Sequence, residues 1–169
     1  DALAFVERAE SLGYRPPHLF ELAGDCAYAL EDFPRAADAY RAAMEPGATA
    51  VLKSKLGVAE IRAGHAGIGA SWLEQALAQT PAEAEAYTHA LAAQVYLDDL
   101  PAALLTLRRR LLCLGPDEQT YVRMAAIAEK MHQRGEMESI LQEGLQALPE
   151  APRIRDALFQ MNTSGLPAG

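Results

Sequence analysis

Apolar and small residues recur along this chain at helical spacing. Met124, Ile127, Ala128 and Met131 occupy i, i+3, i+4 and i+7, which gathers them on one face of an α-helix. The wider pattern then repeats. Leu22-Ala23-Gly24, Glu31-Asp32-Phe33, Ala36-Ala37, Tyr40 and Ala43 are followed at similar spacing by Leu56-Gly57, Gly64, Gly69-Ala70, Leu73, Ala76-Leu77 and Pro81. A third pass gives Tyr87, Ala90-Leu91, Asp98-Asp99-Leu100, Ala103-Leu104, Leu107 and Leu111. A fourth gives Met124, Ile127-Ala128, Met131, Gly135, Ile140-Leu141 and Ala147-Leu148. The small or leucine position after the first apolar pair falls at Gly24, Gly57, Leu91 and Ala128, in steps of 33, 34 and 37 residues. Such a period marks a repeat array rather than one globular core.

Each unit predicts two helices joined by a turn. The turn is marked by Gly64 or Gly135, or by Glu31-Asp32 and Asp98-Asp99. Glycine suits the positive φ of a helix exit, and aspartate suits the N-cap of the helix that follows. Pro34 and Pro101 fall in the first turn of the second helix, where a missing N–H costs little. Ala36, Gly69 and Ala103 are the small residues at which the second helix can approach its neighbours. The second helices end near Pro46, Pro81, Pro116 and Pro149, which stop helices.

A helix–turn–helix of roughly 34 residues with these positions resembles the tetratricopeptide repeat (TPR). The second unit carries the likeness from Leu56-Gly57 through Gly64, Gly69, Leu73 and Ala76 to Pro81. The first unit supplies aromatics at Phe20 and Tyr40, and the third opens with Tyr87. Lys53 replaces the opening aromatic in the second unit, Arg110 stands at a usual alanine position in the third, and the fourth has Gly144 at the aromatic position and an early exit at Pro149. The resemblance implies an all-α, right-handed superhelical solenoid of stacked antiparallel helix pairs. The expected organisation is a partial repeat (a second helix) over 1–15, repeats over 17–49, 50–83, 84–117 and 118–149, a capping or partial-repeat helix over 151–162, and a flexible tail over 163–169. The chain opens on Asp1 rather than Met and reads as a piece of a longer array or multidomain protein.

Composition agrees with helices. Ala occurs 34 times and Leu 23 times, against 16 for Val, Ile and Thr together. Alanine and leucine enter helices at little entropic cost, whereas β-branched residues favour strands. The net charge is −8, and the one dense basic run, Arg108-Arg109-Arg110, is too short to track a phosphate backbone. No nucleic-acid partner is therefore expected, and since no apolar run approaches the ~18 residues of a membrane span, no membrane insertion is expected either. Cys26 and Cys113 form no CxxC pair and read as buried small hydrophobes. The expected setting is soluble, cytoplasmic or periplasmic.

Candidate chemistry is thin. Gly64-His65-Ala66-Gly67-Ile68-Gly69 lacks the strand and the Lys-Ser/Thr of a phosphate loop. His18, His65, His89 and His132 are scattered, and a single pair such as Glu129 and His132 cannot supply the three protein ligands a catalytic metal needs. No serine sits in a nucleophile elbow. No metal, no cofactor and no catalytic residue are expected, and the chain reads as a non-enzyme.

What remains is surface. In the family resembled, first helices line a concave groove that holds a peptide or helical segment. Groove positions map to His18, Glu21, Asp25 and Tyr28 in the first unit and to Ser54, Val58, Ile61 and Arg62 in the second. The third gives Thr88 and Tyr96, with Glu85, Ala92 and Val95. The fourth gives Glu129 and His132, with Val122, Ala125 and Gln133. Tyr28 and Tyr96 are the candidate aromatic anchors. Arg108 and Arg109 offer a possible outer-face docking point for an acidic segment. Chaperone-binding members of the family hold a C-terminal carboxylate with Lys and Asn, but Glu21 and Asp25 would repel one here, so a carboxylate-clamp chaperone partner is not expected. The expected function is a protein–protein interaction scaffold. The alternatives are an accessory TPR region of a larger enzyme or envelope export protein with its chemistry elsewhere, and self-association through Leu158 and Met161.

Overall fold

A computed structural model describes residues 16–163 together with Arg8 and Ser11. Apart from Arg8 and Ser11, the partial repeat expected over 1–15 lies outside the described residues, as do residues 164–169 of the expected tail. Among the described residues there are nine helices and no strand. The chain divides into two compact units, Asp1–Ala93 and Gln94–Gly169.

The first unit holds α1 (Pro17–Ala29), α2 (Phe33–Ala42), α3 (Ala50–Arg62), α4 (Ala66–Gln79) and most of α5 (Ala84–Tyr96). Helix starts follow local chemistry. Asp32 accepts from the N–H of Arg35, the residue after Pro34, and Thr49 Oγ1 accepts from the Leu52 N–H at 3.1 Å, so each cap satisfies an orphan donor. Helices α1 and α2 pack together, α2 packs on α3, and α3 on α4. Ala27, Ala36, Tyr40, Ala43, Leu56 and Ala59 form the core. The small residues act by permitting approach: a Cβ on Gly69 would fall 2.3 Å from the Gly57 carbonyl oxygen, so α3 and α4 meet backbone to backbone. On the same logic the Tyr40 ring lies directly on Gly24. One carboxylate is buried here. Glu60 is 1% exposed and accepts from Arg41 and from His65 Nδ1, the pairing that a buried charge requires.

The second unit holds the last turn of α5, then α6 (Leu100–Leu114), α7 (Glu118–Lys130), α8 (Arg134–Ala147) and α9 (Pro152–Thr163). Asp99 and Asp117 cap α6 and α7. Helices α6 and α7 pack together, as do α7 and α8, and α9 lies against both α7 and α8. Met124, Ile140, Leu141 and Ile154 are fully buried between them. The arginines of α6 are ties between helices: Arg108 donates to Glu136 at 2.7 Å and to Glu143, and Arg110 bonds Asp117 and Thr120.

The helix exits correct the repeat register. Four main-chain bonds of one type close first helices: Asp32 N–H to Ala27 O, His65 to Glu60, Asp99 to Gln94 and Gln133 to Ala128. The residue before each donor has a positive φ: Glu31, Gly64, Asp98 and His132. These exits recur at steps of 33, 34 and 34 residues, with the hydrogen-bond pattern of a left-handed C-cap. The fourth turn is therefore at His132, and Gly135 lies inside α8. Ala128 aligns with Ala27, Glu60 and Gln94, so the residue aligned with Gly24, Gly57 and Leu91 is Ala125, and the expected step of 37 shortens to 34. The aromatic slot of the fourth repeat belongs to Leu141. Gly144 falls instead at the slot of Ala43, Ala76 and Arg110, where a Cβ would lie 2.9 Å from both Tyr121 and Ile154.

Candidate partner-binding surface

In the first unit a cavity of about 220 Å³ opens where α1, α3 and α5 present their first-helix faces. Its lining includes Asp25 and Tyr28 from α1, Lys55 and Val58 from α3, and His89 and Ala92 from α5. Asp25 organises one wall: Tyr40 Oη donates to it at 2.8 Å and Lys55 Nζ at 3.1 Å. Lys55 also donates to Glu21 at 2.8 Å. Burial opposes the Lys55 charge, but the hydrogen bonds to Glu21 and Asp25 outweigh it and raise the pKa. Burial, reinforced by Asp25, likewise pushes the Tyr40 phenol far above its ordinary range. Tyr28 stands edge-on to Phe33, with ring centroids 5.3 Å apart, and the Arg62 guanidinium lies 4.1 Å over the same Phe33 ring, a cation–π contact.

His89 joins α3 to α5. Its Nδ1 is 2.7 Å from Ser54 Oγ, and that hydroxyl donates to the Val51 carbonyl at 2.7 Å. The hydroxyl proton being used, Nδ1–H donates to Ser54 and a second proton would enter at Nε2, 3.9 Å from Glu85. Ser54 is fully buried, so this pair is a tie between helices and presents no nucleophile to solvent. Burial lowers the His89 pKa below 6.5 and Lys55 lowers it further, against the opposing carboxylates of Glu85 and Asp25. A folded-state pKa below the unfolded value means that unfolding takes up a proton. The stability His89 contributes is therefore complete above pH 6.5 and is lost as pH falls from there toward the folded value. His89→Gln should flatten the fall in melting temperature on acidification below pH 6.5, measured by circular dichroism; an unchanged slope would contradict the assignment.

The expected groove residues separate into three groups. His18 is exposed, Glu21, Asp25 and Tyr28 are half-buried, and Arg62 is half-buried over Phe33. Thr88 is exposed and donates to the Ala84 carbonyl. Ser54 and Ile61 were expected on the groove but are buried: Ser54 is held by His89, and Ile61 packs on Gly69, because α3 is covered on more sides than a lone amphipathic helix. Val58 is buried yet still reaches the cavity wall. In the second unit Tyr96 is 55% exposed at the end of α5. Glu129 and His132 border a separate cavity of about 480 Å³ with Val122, Met137, Ala157 and Met161, and His132 does so from the turn rather than from α7. Arg108, proposed as an outer docking point, pairs with Glu136 and Glu143 and keeps its side chain 38% exposed. Of the two residues of the self-association reading, Met161 is buried and Leu158 is half-buried. Cys113 is exposed rather than buried.

Lys55 and His89 were missed in the sequence. The available signal was the repeat itself: Glu21 and Lys55 are 34 residues apart, and Ser54 and His89 are 35, so stacking places them side by side. Among the described residues no group of three or more His, Cys, Asp and Glu is placed to hold a metal ion. No helix among them is long and apolar enough to cross a membrane.

No protein-family model matches the sequence, and no curated protein matches it. Solved structures match in fold. The C-terminal part of a TPR repeat-containing protein from Cytophaga hutchinsonii has a TM-score of 0.75 at 11% identity, over 96% of this chain and 64% of that one. YrrB, a TPR protein with an unusual peptide-binding site, gives 0.63 at 17% identity over 95% and 81%. MamA gives 0.60 at 18% over 87% and 81%. This chain therefore spans less than two thirds of the Cytophaga structure. Helix pairs at a 34-residue step, left-handed exits and glycine contacts between helices define a helical-repeat protein. The chain has the tetratricopeptide-repeat fold.

Proposed function

We propose that the chain is a protein-interaction module whose first unit takes a segment of a partner protein against α1, α3 and α5. The cavity between those helices carries the reading. It combines an apolar floor of Tyr28, Val58 and Ala92 with polar groups of Asp25, Lys55 and His89, the mixture by which a preformed site fixes a ligand's orientation. YrrB, of like fold, is a TPR protein with a peptide-binding site. The Asp25 and Lys55 side chains are held by hydrogen bonds before any ligand arrives, so the partner bears most of the ordering cost. Lys55 is already paired with Glu21 and Asp25, which argues against capture of a free C-terminal carboxylate, as in the chaperone-binding class. The net charge of −8 argues against nucleic acid.

Ala92 is exposed and lines the cavity, so Ala92→Phe fills the site without disturbing the core. A partner captured by the wild-type chain and identified by mass spectrometry should bind this variant at least about tenfold more weakly. Equal affinity for the two proteins would defeat the reading.

A further inference from the structure

We infer that the first unit's cavity takes the side chain of an arginine or lysine from the partner segment, an inference that rests on the groove reading above. Size comes first. About 220 Å³ is below the ~300–1,000 Å³ of sites that enclose whole small molecules and suits one long side chain. The lining then selects its chemistry. Tyr28, Val58 and Ala92 offer apolar wall for an aliphatic stem, the way long basic side chains bury their methylenes. Asp25 accepts one bond from Tyr40 and one from Lys55, which leaves two of the roughly four acceptor positions of a carboxylate. Just outside the lining, Glu21 shares Lys55 with Asp25 and Glu85 lies 3.9 Å from His89 Nε2, their side chains 36% and 54% exposed. One carboxylate in the lining and two bordering it thus stand against one ammonium, and burial disfavours a charge on His89.

The competing occupants fare worse. An acidic side chain meets the Asp25 carboxylate, with Glu21 and Glu85 at the border. A purely apolar one would cover Asp25, Lys55 and His89 without bonding them, at a desolvation cost. A guanidinium or ammonium group fills the open acceptor positions and lowers the net charge.

The test is selection of a displayed random-peptide library on the whole chain. Enriched peptides should carry Arg or Lys, lose affinity about fivefold on Glu85→Lys, weaken in salt, and lose binding on Ala92→Phe. Melting curves of both variants confirm that they remain folded. Peptides that depend on Ala92 but lack a basic residue, or that ignore Glu85→Lys, overturn this inference and leave the groove reading intact. No enrichment, or peptides indifferent to Ala92→Phe, overturns both.

Discussion

Replacing Gly69 by alanine should destabilise the first unit by about 3 kcal/mol or more, at the upper end of overpacking costs. The added methyl has nowhere to go. It would lie 2.3 Å from the Gly57 carbonyl oxygen, 2.5 Å from Ile61 Cγ1 and 3.0 Å from the Ile61 nitrogen. Two of these three are backbone atoms, which no rotamer change can move, so α3 and α4 must part. Gly69→Leu should be worse still. Gly67, two residues earlier in the same helix, has nothing within 4 Å of its Cβ position, and Gly67→Ala should be neutral or slightly stabilising through helix propensity alone. Thermal unfolding followed by circular dichroism checks the pair. Similar melting temperatures for both variants would contradict the α3–α4 contact.

Leu141→Ala should cost the second unit about 2–5 kcal/mol, the usual range for a fully buried leucine. Leu141 is 0% exposed and occupies, at the corrected register, the slot that Tyr40 fills in the first repeat. In a domain of this size such a loss lowers the melting temperature by about 10 °C or more. A repeat array is stabilised unit by unit, so hydrogen exchange should show lost protection in α7, α8 and α9. A change confined to α1 and α2 would contradict the assignment.

The repeat, the two-helix unit and the proline exits were legible in the sequence because they depend on spacing alone. The fourth register was not. Gly135 offered a familiar turn signal, while the actual exit uses His132 at φ 57, a conformation non-glycine residues adopt only at a cost. Glu31 and Asp98 do the same; their neighbours Asp32 and Asp99 are N-caps, and that made those two turns visible. The candidate surface was only partly legible. A helical wheel places Ser54 and Ile61 with Glu21 and Tyr28, but burial depends on which neighbours cover each helix, and α3 is covered by both α2 and α4. Lys55 illustrates the same limit from the other side. Its charge was plain in the sequence, but its effect came from Glu21 and Asp25 one repeat away, which it neutralises in part.

A partner segment seated against α1, α3 and α5 of the first unit would perturb the backbone there first. Two-dimensional NMR of the chain, titrated with a peptide that binds it, tests this most directly. Shift changes should concentrate at the amides of Asp25, Tyr28, Val58, His89 and Ala92, all residues of the cavity lining. Changes confined to α2 and α4, with those amides unmoved, would contradict it.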